Sequence, residues 1–406
     1  MNVLVFNTRV EGHHIEHLLH IARYVVKNDL KYNLYMAVNP YINNYGEELV
    51  RISNNSSAVS LLPIPEDEYC DPESHSPVRR SLAGWRSAKK RALEVSADHC
   101  VFMEMNVYQA VLGLPRARGM PFDTSGILFF PYCRIESSGG MLAHFRSMTE
   151  RIRKRLQLRW VLSNPSVDTI FLLNDEWGAE KMNAELGTDV FHSLPDPIPP
   201  LTVDDNETDR VSSWKEEWWG ADRMHFLLFG SLRRDKGVQE AIRAFCNLSS
   251  KMASGAAFHL LGASREELET ELPSLVSKLE REQPNLLVHF EDRFLSETEL
   301  DCALSESDVI LAPYQRTEGS SGVLSHAANY HVPVIGPKTG LIGHLIREYG
   351  LGETVNARSP DRLRESIAAY LNDKNLEWSP PAMERYVAER SPDEFASTLL
   401  STLTDS

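Results

Sequence analysis

Pro195, Pro197, Pro199 and Pro200 fall within six residues near the middle of the 406-residue chain and stop regular structure there. Before them, short apolar runs of strand length recur at residues 3–6, 32–38, 59–62, 100–103, 127–130, 169–173 and 190–194, with helical spacing between most of them. After them the pattern resumes at 225–229, 258–261, 286–290, 309–313 and 333–335. Strand and helix in alternation make parallel sheets covered on both faces, so the expected class is α/β with two doubly wound, Rossmann-like domains facing a central cleft. The expected boundaries are 1–200, 201–380 and a C-terminal helical segment 381–406.

Composition fits a two-core globular protein, with 42% hydrophobic and 24% charged residues. No apolar run approaches the ~20 residues of a membrane span. Met1-Asn-Val-Leu-Val-Phe reads as a strand rather than a cleavable leader. Cys70, Cys100, Cys133, Cys246 and Cys302 are odd in number and scattered, which predicts a reducing cytoplasm and no structural metal. The net charge of −15 sits mainly in the second half, with 21 basic and 23 acidic residues up to Pro200 and 21 and 34 beyond it. A nucleic-acid binder would show the opposite balance.

Two loops carry the chemistry. Gly230-Ser-Leu-Arg-Arg-Asp-Lys-Gly237 lies between a strand and a helix, at the sheet edge where open α/β folds bind ligands. Arg233, Arg234 and Lys236 offer cations to a pyrophosphate there, or form a solvated basic turn. Pro313-Tyr-Gln-Arg-Thr-Glu-Gly-Ser-Ser-Gly-Val323 follows a second strand and opens a helix. Its start at Ser320, Ser321, Gly322 and Val323 presents backbone N–H groups to an anion. Glu318 accepts hydrogen bonds from sugar hydroxyls, or serves as an acid favoured by the helix dipole.

These segments, with Asp308-Val-Ile-Leu-Ala-Pro313, His331-Val-Pro-Val-Ile335 and Gly340, resemble the donor half of the family 4 glycosyltransferases, glycosyl transferases group 1, which have the GT-B fold. The resemblance covers the second half well and the first half loosely. It implies that Lys236 binds the donor diphosphate, that Gly230 forms the phosphate-side turn, and that Glu318 lies near the donor sugar as a catalytic group. The family arginine after the first glycine is Ser231 here, with Arg233 or Arg234 as candidate substitutes. The second carboxylate of the family's motif, on the nucleotide ribose, is replaced by His326, and the acid after Gly340 is replaced by Gly343.

On the first half the acceptor is expected, a glycan or a lipid-linked sugar. Gly12 closes the loop after the first strand, and His13, His14 and Glu16 follow it. His13 and His14 are candidates for binding a phosphate or moving a hydroxyl proton; capping or packing is the plainer alternative. Tyr132 and Arg134, after the fifth strand, are candidate phosphate or acceptor contacts. Basic stretches at 79–91 and 141–162 suit contact with an anionic membrane surface, or are ordinary solvated faces.

The expected reaction is sugar transfer from a nucleotide-sugar donor. Loop cations and helix amides stabilise the leaving diphosphate. The resemblance implies retention of anomeric configuration, and no paired carboxylates stand ready for a double displacement. Neither cofactor nor metal is expected, since protein cations take the metal's part and no Asp-x-Asp motif lies in a suitable loop. Two alternatives remain: a nucleotide-sugar epimerase of similar fold, and an inactive sugar-binding scaffold.

Overall fold

Strands buried on both faces need apolar side chains on both, and β1 (Asn2–Asn7) shows how this is met. Leu4 and Phe6 enter one core cluster, while Val3 and Val5 enter the cluster across the sheet. The computed structural model describes residues 1–9, 13–69, 76–135, 141–197, 201–220, 222–265, 268–372 and 378–403. It divides into two units, 1–196 with 391–406, and 197–390.

The first unit holds a seven-stranded parallel sheet: β1, β2 (Asn33–Val38), β3 (Val59–Pro63), β4 (His99–Phe102), β5 (Asp123–Ile127), β6 (Val167–Leu173) and β7 (Phe191–Leu194). Their order is β3-β2-β1-β4-β5-β6-β7, so the winding reverses between β1 and β4. The fifth strand lies earlier than the apolar run 127–130 suggests. Its centre, Thr124 and Ser125, is buried but polar, and His99 Nε2 sits 2.7 Å from Ser125 Oγ. Helix Pro392–Thr402 belongs to this unit: Phe395 is fully buried and stacks on His17 of helix His13–Lys27.

The second unit is a six-stranded parallel sheet of β8 (Met224–Phe229), β9 (Ala256–Leu261), β10 (Leu287–Glu291), β11 (Val309–Leu311), β12 (Val334–Pro337) and β13 (Gly352–Val355). The order β10-β9-β8-β11-β12-β13 places a reversal between β8 and β11. Strand β13, Gly-Glu-Thr-Val, is a half-buried edge strand without an apolar run, which is why periodicity does not reveal it. Among the described residues no helix is long and apolar enough to cross a membrane.

A row of histidines crosses three strands of this sheet. His225 Nδ1 lies 2.9 Å from His259 Nε2, His259 Nδ1 lies 3.3 Å from His289 Nδ1, and His289 Nε2 lies 3.1 Å from Glu291. Trp219 stacks on His259 at 4.2 Å and Trp218 on His289 at 4.1 Å, which holds helix Thr208–Trp219 against the sheet. Burial, as the main cause, lowers His289 to about 4 and His259 well below its ordinary 6.5. The unfolded chain therefore takes up protons on these rings below about pH 6.5, where the folded chain does not. Stability is expected to be full above that pH and to fall as the pH drops towards about 4. Melting midpoints taken from neutral pH down to about pH 5 check this; a flat profile would mean that the rings titrate alike in both states.

Candidate functional site

In an open parallel sheet, a ligand finds exposed backbone and room at the carboxyl ends of the strands where the winding reverses. In the second unit that place lies at the ends of β8 and β11, and both loops singled out in the sequence start there. Gly230 leaves β8 at φ +96, and a short 3-10 turn, Arg234–Lys236, leads into helix Val238–Cys246. The three cations of the turn are not equivalent. Arg233 Nε is 3.0 Å from Asp235 Oδ1, and Arg234 reaches Glu271 at 2.5 Å. Lys236 makes no ion pair among the described residues, and its Nζ lies 3.8 Å above the centre of the Tyr314 ring. Arg233 and Arg234 thus each face a carboxylate of their own unit, which Lys236 does not among the described residues.

The second loop is joined to the first. Gln315 N donates to Asp235 O at 2.8 Å, and Gly237 (φ +74) packs so closely that a Cβ there would stand 1.9 Å from Pro313 O. The loop after β12 joins them, with Leu341 N donating to Thr317 O at 2.8 Å beside Gly340. Gly237→Ala combines left-handed strain with this contact and is expected to destabilise the unit by about 1–3 kcal/mol. It should also move Lys236; an unchanged melting point would show that the loops are not locked together.

Helix Gly322–Asn329 starts at the end of the second loop. Ser321 is its N-cap residue, yet its hydroxyl pairs with the Tyr314 hydroxyl at 2.9 Å and makes no side-chain cap. The first-turn amides of Gly322 and Val323 are thus not capped by Ser321, and Ser320 precedes them. Tyr314, which follows Pro313 directly, links the lysine to this helix start, a role that its type and position did not signal. Glu318 Oε2 is buried without a hydrogen bond, and its nearest cation is Arg316 Nε at 3.6 Å. A buried oxygen without a hydrogen bond gains from any hydroxyl brought to it.

His326 stands one turn into the helix, with its ring 5.9 Å from Phe229 and its buried Nδ1 making no hydrogen bond. Burial lowers it to about 4, so the ring is neutral near pH 7 and can donate or accept without carrying charge. Gly343 lies where a Cβ would meet Pro337 O at 2.4 Å. Helix Gly340–Glu348, which carries Gly343, therefore has no room for an acid at that position.

In the first unit Gly12 and the side chain of His13 lie outside the described residues. His14 is buried and tilts against Phe129 at 5.9 Å. His17 sits 3.3 Å from Asp196, and His20 is lowered to about 4, chiefly by burial. The described histidines of this helix are thus packed within the first unit. Arg134 and Tyr132 are likewise engaged within the unit. Arg134 donates to Asp175 at 2.9 and 2.5 Å, both side chains being buried, and stacks 4.4 Å from Trp177. The Tyr132 hydroxyl donates to Glu185 at 2.9 Å. The Arg134 guanidinium is thus already paired, through Nε and Nη2, with a buried carboxylate of its own unit. In the 79–91 stretch, Lys90 pairs with Glu68, and Arg91 with Glu68 at 3.0 Å and Glu94 at 2.6 Å.

A fold of two parallel-sheet units with ligand loops at the reversal point of the second is that of the GT-B glycosyltransferases. The chain has the fold of sucrose-phosphate synthase from Thermosynechococcus elongatus, at 12% identity over 100% of this chain and 98% of that one, with a TM-score of 0.71. It is similar over its whole length to Anabaena Alr3699/HepE in complex with UDP-glucose (12% identity, 100% of that chain, TM-score 0.66). WaaG, a glycosyltransferase involved in lipopolysaccharide biosynthesis, is similar at 15% identity over 100% of this chain and 99% of that one, with a TM-score of 0.60. Residues 223–373 match the family model of glycosyl transferases group 1. Comparison with curated protein sequences gives no match.

Proposed function

We propose that the protein transfers a sugar from a nucleotide-sugar donor to a glycan or lipid-linked acceptor, with the donor held by the second unit. The observation that carries this reading is the buried Glu318 oxygen, beside Arg316 but without a hydrogen bond, in the same loop that places Tyr314 under Lys236. A diphosphate suits Lys236 and the amides of Gly322 and Val323, which would neutralise the charge that develops as the leaving group departs. Sugar hydroxyls suit Glu318, and a neutral His326 suits a ribose hydroxyl. Anabaena Alr3699/HepE has been described with UDP-glucose, and a donor of that class is the reading adopted for this chain.

Transfer proceeds in this reading with retention, by departure and attack on one face of the sugar, and without a metal ion. Activity is therefore expected to survive chelation by EDTA, and an inverted anomer by NMR would defeat the retaining mechanism. The first experiment is a thermal-shift panel of nucleoside diphosphates and their sugars on the wild type and Glu318→Ala. One diphosphate should stabilise both proteins, and the matching sugar nucleotide should add to that shift only in the wild type. No shift with any of them would favour the inactive scaffold. An epimerised sugar released without acceptor would favour the epimerase.

A further inference from the structure

Helix Met141–Leu162 of the first unit carries chemistry that the donor site does not use. Leu158 and Val161 seat it on the core, whereas Phe145, Met148, Ile152 and Leu156 are exposed by 66, 52, 48 and 59%. Spacings of three, four and four residues align these four as one outward stripe. By the same period Arg151, Arg155 and Arg159 follow one edge of the stripe, with Arg146 and Arg153 along the other. Glu150 is the helix's own carboxylate, 3.4 Å from Lys154 and 4.0 Å from Arg153. Arg146, Arg151 and Arg159 make no ion pair among the described residues.

A cavity of about 350 Å³ opens beside the stripe. Tyr132, His144, Ser147, Arg151 and Arg155 form its polar wall, and Met148 and Ile152 belong both to the cavity and to the stripe. Its carboxylate, Glu185, is already held by the Tyr132 hydroxyl. Arg155 donates through Nη2 to Glu185 O at 2.9 Å, while its buried Nε has no partner.

We propose that this face docks on an anionic phospholipid membrane, with the cavity receiving a lipid phosphate and the stripe lying among the acyl chains. Two arginines and an imidazole match a phosphate monoester or diester. Apolar side chains flanked on both edges by arginine match the boundary between headgroups and hydrocarbon. The inference stands apart from the donor reading, because it uses the first unit alone.

Flotation of the full chain with vesicles of phosphatidylcholine, and of phosphatidylcholine with phosphatidylglycerol, tests it. The protein should float with the anionic vesicles only and be released by high salt. Phe145→Ser with Ile152→Ser should lower the bound fraction about tenfold through lost apolar burial. Arg151→Glu should abolish the preference for anionic lipid. Melting curves of the variants should match the wild type, since the replaced side chains face solvent. Equal flotation with neutral vesicles, no flotation, or variants that bind like the wild type would overturn the proposal. So would a thermal shift with inorganic phosphate in a protein that fails to bind vesicles, which would make the cavity a site for soluble anions. Thermal shift by nucleoside diphosphates, unaffected by these substitutions, keeps this outcome separate from that of the donor site.

Discussion

Replacement of Lys236 by alanine is expected to lower the rate of sugar transfer about 10²–10³-fold, the scale seen when one preorganised electrostatic donor is removed from a reacting centre. The reason lies in the unequal fates of three neighbouring cations. Arg233 is held by Asp235 and Arg234 by Glu271, so neither can swing in without breaking an existing pair. Lys236 is fixed by the Tyr314 ring instead, a contact that orients the ammonium without neutralising it. Loss of that contact should cost stability no more than about 1 kcal/mol. The variant should therefore melt near the wild type while losing its thermal shift with nucleoside diphosphate. Turnover within about twofold of the wild type would remove Lys236 from the site.

Arg134→Ala is expected to destabilise the first unit by about 3–5 kcal/mol, because it leaves Asp175 ionised and buried without its cation. For a unit of this size that corresponds to a drop of roughly 10 °C in melting temperature. Asp175 would keep one partner, the Gly178 N–H at 2.7 Å, by which it caps helix Glu176–Leu186. The double variant Arg134→Met with Asp175→Leu should recover part of the loss, since no buried charge then remains. Had Arg134 instead contacted an acceptor, the single variant would keep its melting point and lose acceptor affinity alone.

Much of the architecture was legible from residue order. Strands buried on both faces must be apolar throughout, so residues 3–6 and 225–229 announced themselves in both halves. Where a strand departs from that rule the signal fails. β5 was missed at its centre because Thr124 and Ser125 are buried as polar residues, Ser125 beside His99, and β13 because it is a short edge. The two candidate loops were visible through glycine, cations and a carboxylate at strand ends.

What sequence reading could not reach was the pairing of candidates with residues far along the chain. Arg234 lies 37 positions from Glu271, and Arg134 lies 41 from Asp175. His225, His259 and His289 become one row because adjacent strands bring them side by side. Local periodicity, turn residues and motif order act over a few neighbours, and they sufficed to set the alternating α/β pattern and to bring cations to one loop. Arg233 finds its carboxylate two residues on, whereas Arg234 is paired by one that a distant element delivers. Electrostatic interaction falls with distance in space and is indifferent to separation along the chain, so that outcome emerged with the packed sheets.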